Sequence, residues 1–222
     1  MKTKLVLSAL AVCLGTASSA ATITFDGLNH GDLIANGAFD FGGITGTIVT
    51  DSNDTAGPDI AQIFDTTETG TADPDLENPT ETGTGAAYTG GNVMIISETG
   101  DAADPNDEGQ GGSITLIFDQ LVNFTGITLI DAEVARRYTN EIDVLIDGGV
   151  TVLDDIITGD NEFLDFTGFS YQTQSITVAL TGSGAFDNLQ LAPVPVPASA
   201  ALLLGGLGGL ALMRRRKAAK RA

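Results

Sequence analysis

In several segments between residues 21 and 191 the apolar side chains of this chain recur at every second position. Ile114, Leu116 and Phe118 alternate with Ser113, Thr115 and Ile117. Ile142, Val144 and Ile146 alternate with Glu141, Asp143 and Leu145, and Ile176, Val178 and Leu180 with Ser175, Thr177 and Ala179. Successive side chains of a strand point to opposite faces, so a period of two marks half-buried β-strands. Further strands are expected at 22–25, 44–50, 93–97, 124–130, 163–169 and 185–191. Gly, Asn and Asp fill the gaps, and Asp147-Gly148-Gly149 between two apolar runs reads as a hairpin turn. No helix of three turns or more is expected before the C-terminal tail, although 131–138 can form one turn. The body, 21–191, has about 170 residues, enough for one domain with a real core. The pattern predicts an all-β fold, an antiparallel β-sandwich of jelly-roll type.

Charge constrains what this body can bind. All 29 acidic residues lie between Asp26 and Asp187, while eight of the ten basic residues sit in the two chain ends. The body holds 29 acids against Arg136 and Arg137, a formal charge near −27. Such a surface repels nucleic acid and anionic lipid. The only cysteine is Cys13, so the body forms no disulfide, and its stability must come from packing or from something that ties its loops together. The acids are either a solvated surface or ligands that converge on Ca²⁺, which takes six to eight oxygen donors.

Two acidic loops favour the second reading. About forty residues, 51–91, are dominated by Asp, Glu, Thr, Gly and Pro, with only 60–64 strand-like. A loop that long inside a compact domain is usually functional, and here an ion can organise it. In the second loop, 101–109, Asp104, Asn106, Glu108 and Gly109 match positions 1, 3, 5 and 6 of an EF-hand. Thr115 stands where its bidentate Glu belongs, so an irregular calcium loop is expected instead. Asp131 and Asp187 end apolar strands, and Asp187 shares strand parity with Leu189 and Leu191, which places it at the core's edge. A bare carboxylate there is costly unless paired or metal-bound. The candidate calcium ligands are Asp73, Asp75, Glu98, Asp107, Asp131 and Asp187.

Catalysis finds little support. His30 is the only histidine, in a turn-like segment where exposure is expected, and there is no G-x-S-x-G nucleophile elbow. Acid pairs such as Asp154-Asp155 suit a glycosidase in principle, but 29 acids make such pairs inevitable. Sugar stacking would fall to Tyr88, Tyr138 and Tyr171, because the chain has no tryptophan. A non-enzymatic protein is expected; a module that binds carbohydrate, such as exopolysaccharide, is the alternative, and a hydrolase is third.

The ends of the chain are addresses. Lys2 and Lys4, an apolar 5–14 and Ser18-Ser19-Ala20 predict a signal peptide over 1–20, removed by signal peptidase to leave Ala21 first. Val12 precedes Cys13 where a lipoprotein needs a small residue, so no lipid anchor is expected. From Pro193 the chain reads as a proline-punctuated hinge (193–199), an uncharged span (198–213) and a basic tail (214–222). Sixteen helical residues cover roughly 24 Å, short for a comfortable membrane helix. Arg214, Arg215, Arg216 and Lys217 should stay cytoplasmic.

Val194-Pro195-Val196-Pro197-Ala198-Ser199, the Leu/Gly span and Arg214-Arg215-Arg216 together resemble the VPLPA-CTERM sorting signal, a variant of the PEP-CTERM tails of Gram-negative bacteria. Val196 stands where that family usually has Leu. The resemblance implies export through the inner membrane, transient anchoring through the C-terminal span, cleavage by an exosortase, and a final place at the cell surface or outside it. The body is similar to a recurrent bacterial envelope domain through 63–66, 73–76, 92–98, 105–107, 111–118, 129–131 and 182–189. That likeness implies a scaffold or binder and brings no established activity. The last strand also resembles that of jelly-roll carbohydrate-binding modules, which implies a structural calcium ligand at Asp187.

Overall fold

A computed structural model describes residues 20–133 and 140–194. The alternating segments form strands, joined by several that the alternation did not mark. They are β1 (Ala21–Ile23), β2 (Leu33–Ile34), β3 (Gly37–Phe41), β4 (Ile44–Ser52), β5 (Ala61–Asp65), β6 (Thr80–Glu81), β7 (Asn92–Ile96), β8 (Gly112–Ile130), β9 (Ile142–Ile146), β10 (Val150–Ile156), β11 (Glu162–Leu180) and β12 (Ala185–Pro193). Among the described residues the only helical element is a 3-10 turn at Pro74–Leu76, which Pro74 helps to start with its fixed φ. The signal sequence before Ala20, most of the one-turn helix expected at 131–138 and the membrane span lie outside the described residues.

Every strand pairing is antiparallel except the short contact of β6 with β11. β9 and β10 form the expected hairpin around Asp147-Gly148-Gly149, with Val150 opposite Ile146. The expected pairs of short strands at 113–118 and 124–130, and at 163–169 and 175–180, are instead two unbroken strands of 19 residues. β8 and β11 pair along their whole length, from Phe163↔Ile130 to Leu180↔Gly112, with register shifts between Thr167 and Tyr171 and between Thr173 and Ser175. Bulges of this kind bend a ladder without ending it. The segments between the apolar runs are exposed, and there the ladder skips 168–170 and 174 of β11 and 118–121 of β8 before it resumes, which bends the strands.

The bend lets one continuous sheet serve two sets of neighbours. The first half of β8 pairs with β4, and the second half of β11 with β9. The second half of β8 pairs with β12, which leads on to β7 and β5. Ile48, Leu116, Val144 and Val178 from the first set share one core with Ile63, Met94, Leu129 and Leu189 from the second.

β5 and β7 are buried on both faces. Ala61, Ile63, Met94 and Ile96 enter the main core, whereas Phe64, Val93 and Ile95 point the other way into a second cluster with Ile130, Phe163 and Ala185. That cluster is covered by the acidic loop after β5, which contributes Leu76 and packs Tyr88 against it. The loop is thus organised, and it closes a small core of its own. Truncating Leu76, which is fully buried, leaves a cavity there. Leu76→Ala should therefore cost about 2–5 kcal/mol in urea unfolding; a cost below about 1 kcal/mol would mean that the loop is a loose cover.

Candidate functional site

Four loops meet beside the second core, and three of them bring a carboxylate. Asp73 precedes the 3-10 turn, and Asp107 forms an isolated bridge with Ser97 after β7. Asp131 follows β8 in the left-handed region (φ 58°), and Ser183 and Gly184 form the turn between β11 and β12. Asp73, Asp107 and Asp131 are 4, 7 and 1 % exposed.

Their hydrogen bonds form one network. The Asp107 amide lies 3.3 Å from Asp73 Oδ2 as a donor. Asp107 Oδ2 accepts from the Gly184 amide at 2.5 Å and lies 2.6 Å from Ser183 Oγ. Ser183 Oγ is also 3.1 Å from Asp131 Oδ2, and the Asn161 amide donates to Asp131 Oδ1 at 2.8 Å. One hydroxyl carries one proton, so Ser183 can donate to only one of the two carboxylates at a time. The other contact sets lone pair against lone pair unless a further proton or a cation lies there.

No lysine or arginine occurs among the described residues, so no basic side chain within them compensates these charges. Burial, and next the Asp73 charge, push the Asp107 carboxyl well above its usual range. Burial also raises Asp73, against hydrogen bonding from Asp107, and lifts Asp131 to about 8 against the Asn161 and Ser183 hydrogen bonds. Asp75, exposed after Asp73, adds a repulsive charge to both Asp73 and Asp131. Three of the six expected ligands therefore converge, with Asp75 near them.

Glu98 is not part of this group. It is exposed and accepts from the Asn106 side chain. Asp187 belongs to a different place, and its expected strand parity with Leu189 and Leu191 fails. Asn188 adopts a left-handed φ of 50°, and the register of β12 shifts between Asp187 and Gln190. The bulge leaves Phe186, Leu189 and Leu191 in the main core and groups Ala185 with the second. Asp187, fully buried beside Ala185, meets Tyr88, whose hydroxyl donates to Asp187 Oδ2 at 2.5 Å. Burial raises Asp187 to about 7 in spite of that bond, and burial beside Asp187 holds the Tyr88 phenol protonated.

Another acidic group lies on the β9–β10 hairpin. Oxygens of Asp143, Asp154 and Asp155 lie within 4.8 Å of one another, and the Asp155 amide donates to Asp143 Oδ1 at 2.8 Å. The hairpin turn was legible, but the bulge that brings both Asp154 and Asp155 opposite Asp143 was not. Asp154 and Asp155 are exposed, so water can solvate them, unlike the buried group.

His30 is not free to act as a general base through Nδ1, which accepts the Asp65 amide at 2.9 Å. It lines an open polar cavity of about 420 Å³ with Asp26, Asn29, Asp65, Thr67, Glu68 and Asn92. A smaller cavity of about 110 Å³ lies by Ile44, Phe118 and Leu121. Neither is lined by Asp73, Asp107, Asp131 or Asp187. In the sorting motif Val194 is half-buried; Pro195, Val196, Pro197, Ala198 and Ser199, and the basic Arg214, Arg215, Arg216 and Lys217, lie outside the described residues. Compared with known proteins, the chain matches no family model and no curated protein.

The raised carboxyls fix a pH dependence in cation-free buffer. Folded Asp131 and Asp187 hold protons up to about 8 and about 7, whereas the unfolded chain releases them near 3.8. Their contribution is full below the unfolded value and is lost as pH rises through the folded ones. The lowered carboxyls, Glu77 and Asp147, act only below this window. With chelator present, the melting temperature should fall between about pH 5 and about pH 8; a flat or rising profile would refute the assignment.

Proposed function

We propose that this chain is an exported, non-enzymatic protein of the bacterial envelope or extracellular matrix, structural or adhesive in role, whose body is a jelly-roll β-sandwich held closed by Ca²⁺. The observation that carries the calcium reading is the convergence of Asp73, Asp107 and Asp131 around the single hydroxyl of Ser183, with no basic side chain among the described residues. Breaking up a buried charge group is expensive, and a hard cation answers both the repulsion and the unmet lone pairs. Asp75 would then be an outer ligand.

Delivery to the envelope rests on the sequence of the two ends. Signal peptidase and an exosortase are the expected processing partners, and the C-terminal span is the temporary tie to the membrane. The burial of Asp73, Asp107, Asp131 and Asp187 favours a structural over a hydrolytic use of these acids. A carbohydrate-binding role gains less, because Tyr88 is engaged by Asp187 and packs edge-on to Phe163.

Two measurements test this reading separately. Intact-mass analysis of the surface form should find Ala21 as its first residue and a C-terminus within or close to 194–199. Arg216 or Lys220 still present on that form would leave a plain membrane anchor. For the cation, Ca²⁺ at a hundredfold excess over Kd adds about 2.7 kcal/mol, roughly 5–10 °C in melting temperature for a domain of this size. Mg²⁺ and NaCl at matched ionic strength should do much less. Asp107→Asn should reduce the Ca²⁺-specific rise while leaving the cation-free protein as stable or more so, since it removes repulsion. An equal response to all three salts would make the acids a screened surface only.

A further inference from the structure

Three Asn-X-Thr triplets occur in the body: Asn53-Asp54-Thr55, Asn78-Pro79-Thr80 and Asn123-Phe124-Thr125. In an exported protein such a triplet accepts an N-linked glycan when its middle residue is not proline and it lies on an accessible loop. Pro79 removes the second triplet. The third is built into β8. Asn123 faces Gln172 and Ala192 across its two ladders, Phe124 is fully buried, and the Thr125 hydroxyl donates to the Gln190 carbonyl at 3.1 Å. A transferase could take hold of it only by pulling apart the middle of the sheet, whose backbone groups would then lose their partners.

Asn53 is placed otherwise. It is the first residue beyond the β4–β8 ladder, whose last pair is Ser52 with Gly112. Asn53 and Thr55 are both exposed. A tight turn follows, in which the Gly57 amide donates to the Asp54 carbonyl at 3.1 Å and the Ala56 amide to Asp54 Oδ1 at 2.9 Å. Asp54 thus holds the turn from within, as Asp does at such positions, and an enzyme can engage it without opening a core. Asn53 Nδ2 donates to the Gln110 carbonyl at 3.0 Å. A side-chain amide carries two N–H protons, so this contact spends only one. Asp51, exposed two residues before Asn53, adds a carboxylate that a basic group of an enzyme can read.

We propose that Asn53 is a glycosylation site, modified at Nδ2 by an oligosaccharide carried on a polyprenyl diphosphate. Nδ2 attacks the anomeric carbon of the first sugar. The N–C bond forms, the C–O bond to the diphosphate breaks, and its electron pair leaves on the diphosphate oxygen. One Nδ2 proton passes to water, and the other stays to donate to the Gln110 carbonyl. Nothing is oxidised or reduced. The proposal rests on the export read from the N-terminus, since the triplet is an acceptor only in an exported chain.

Peptide mass spectrometry tests this on the full-length protein, recovered from the envelope of the cells that make it. The fragment that holds Asn53 should carry a discrete saccharide mass. Asn53→Gln and Thr55→Ala should each remove it. Thr55→Ser, which keeps the hydroxyl, and Asn123→Gln should both retain it. Thr55→Ala leaves the Asn53 side chain in place, so it decides the matter if Asn53→Gln fails to fold. A bare Asn53 on a chain that starts at Ala21 overturns the glycan and leaves export standing. A bare Asn53 on a chain that keeps residues 1–20 overturns export, and the proposal with it. A mass that survives Asn53→Gln, or that sits on Asn123, overturns the choice of site.

Discussion

The fold must bury negative charge without a basic side chain to meet it. Asp73, Asp107, Asp131 and Asp187 are all buried, and the described residues contain neither lysine nor arginine. Backbone amides of Asn161 and Gly184 and the hydroxyls of Ser183 and Tyr88 carry part of the load. Amides and hydroxyls soften a carboxylate but add no net positive charge, which is why burial still outweighs them at every one of these four acids. The placement of the loops follows from this constraint: each of the two acidic stretches delivers an acid to the same corner and so cannot pack independently of the other.

The strands that face a core on one side were legible, because a half-buried strand writes its period into the sequence. β9, with Ile142, Val144 and Ile146 buried and the residues between them half-buried, is such a case. β5 and β7 obey a different rule. Asn92–Ile96 is buried at every position, and its composition shows no alternation because neither side faces water. The cover over its second face comes from a segment whose polarity argues for disorder; the information lies in two residues, Leu76 and Tyr88, set among some forty. β3 escaped notice because its alternation is short, with Phe39 its only buried apolar side chain.

The acids divide along similar lines. Asp73, Asp107 and Asp131 were readable as candidates because each sits at an end or in a loop where a charge needs a reason. What could not be read was which loops meet. Asp187 was placed correctly as buried but on the wrong face, since a single left-handed Asn188 reverses the parity of everything after it. The chain has other Asn and Asp residues with positive φ, at Asn78 and Asp155 for example, and composition alone does not say which of them interrupts a strand.

The place of β12 inside the sheet has a mechanical meaning. β12 is hydrogen-bonded along one side to β8, and on the other to β7 near its start and to β1 near its end, where Leu191 faces Ala21. A pull along the axis of β12 acts on both sides of the strand at once. It loads these ladders in shear, so that many hydrogen bonds must yield together before the strand can slide. An edge strand peeled sideways would instead give up its bonds one at a time. Loaded along its last strand, the body would thus yield only when both ladders of β12 give way together.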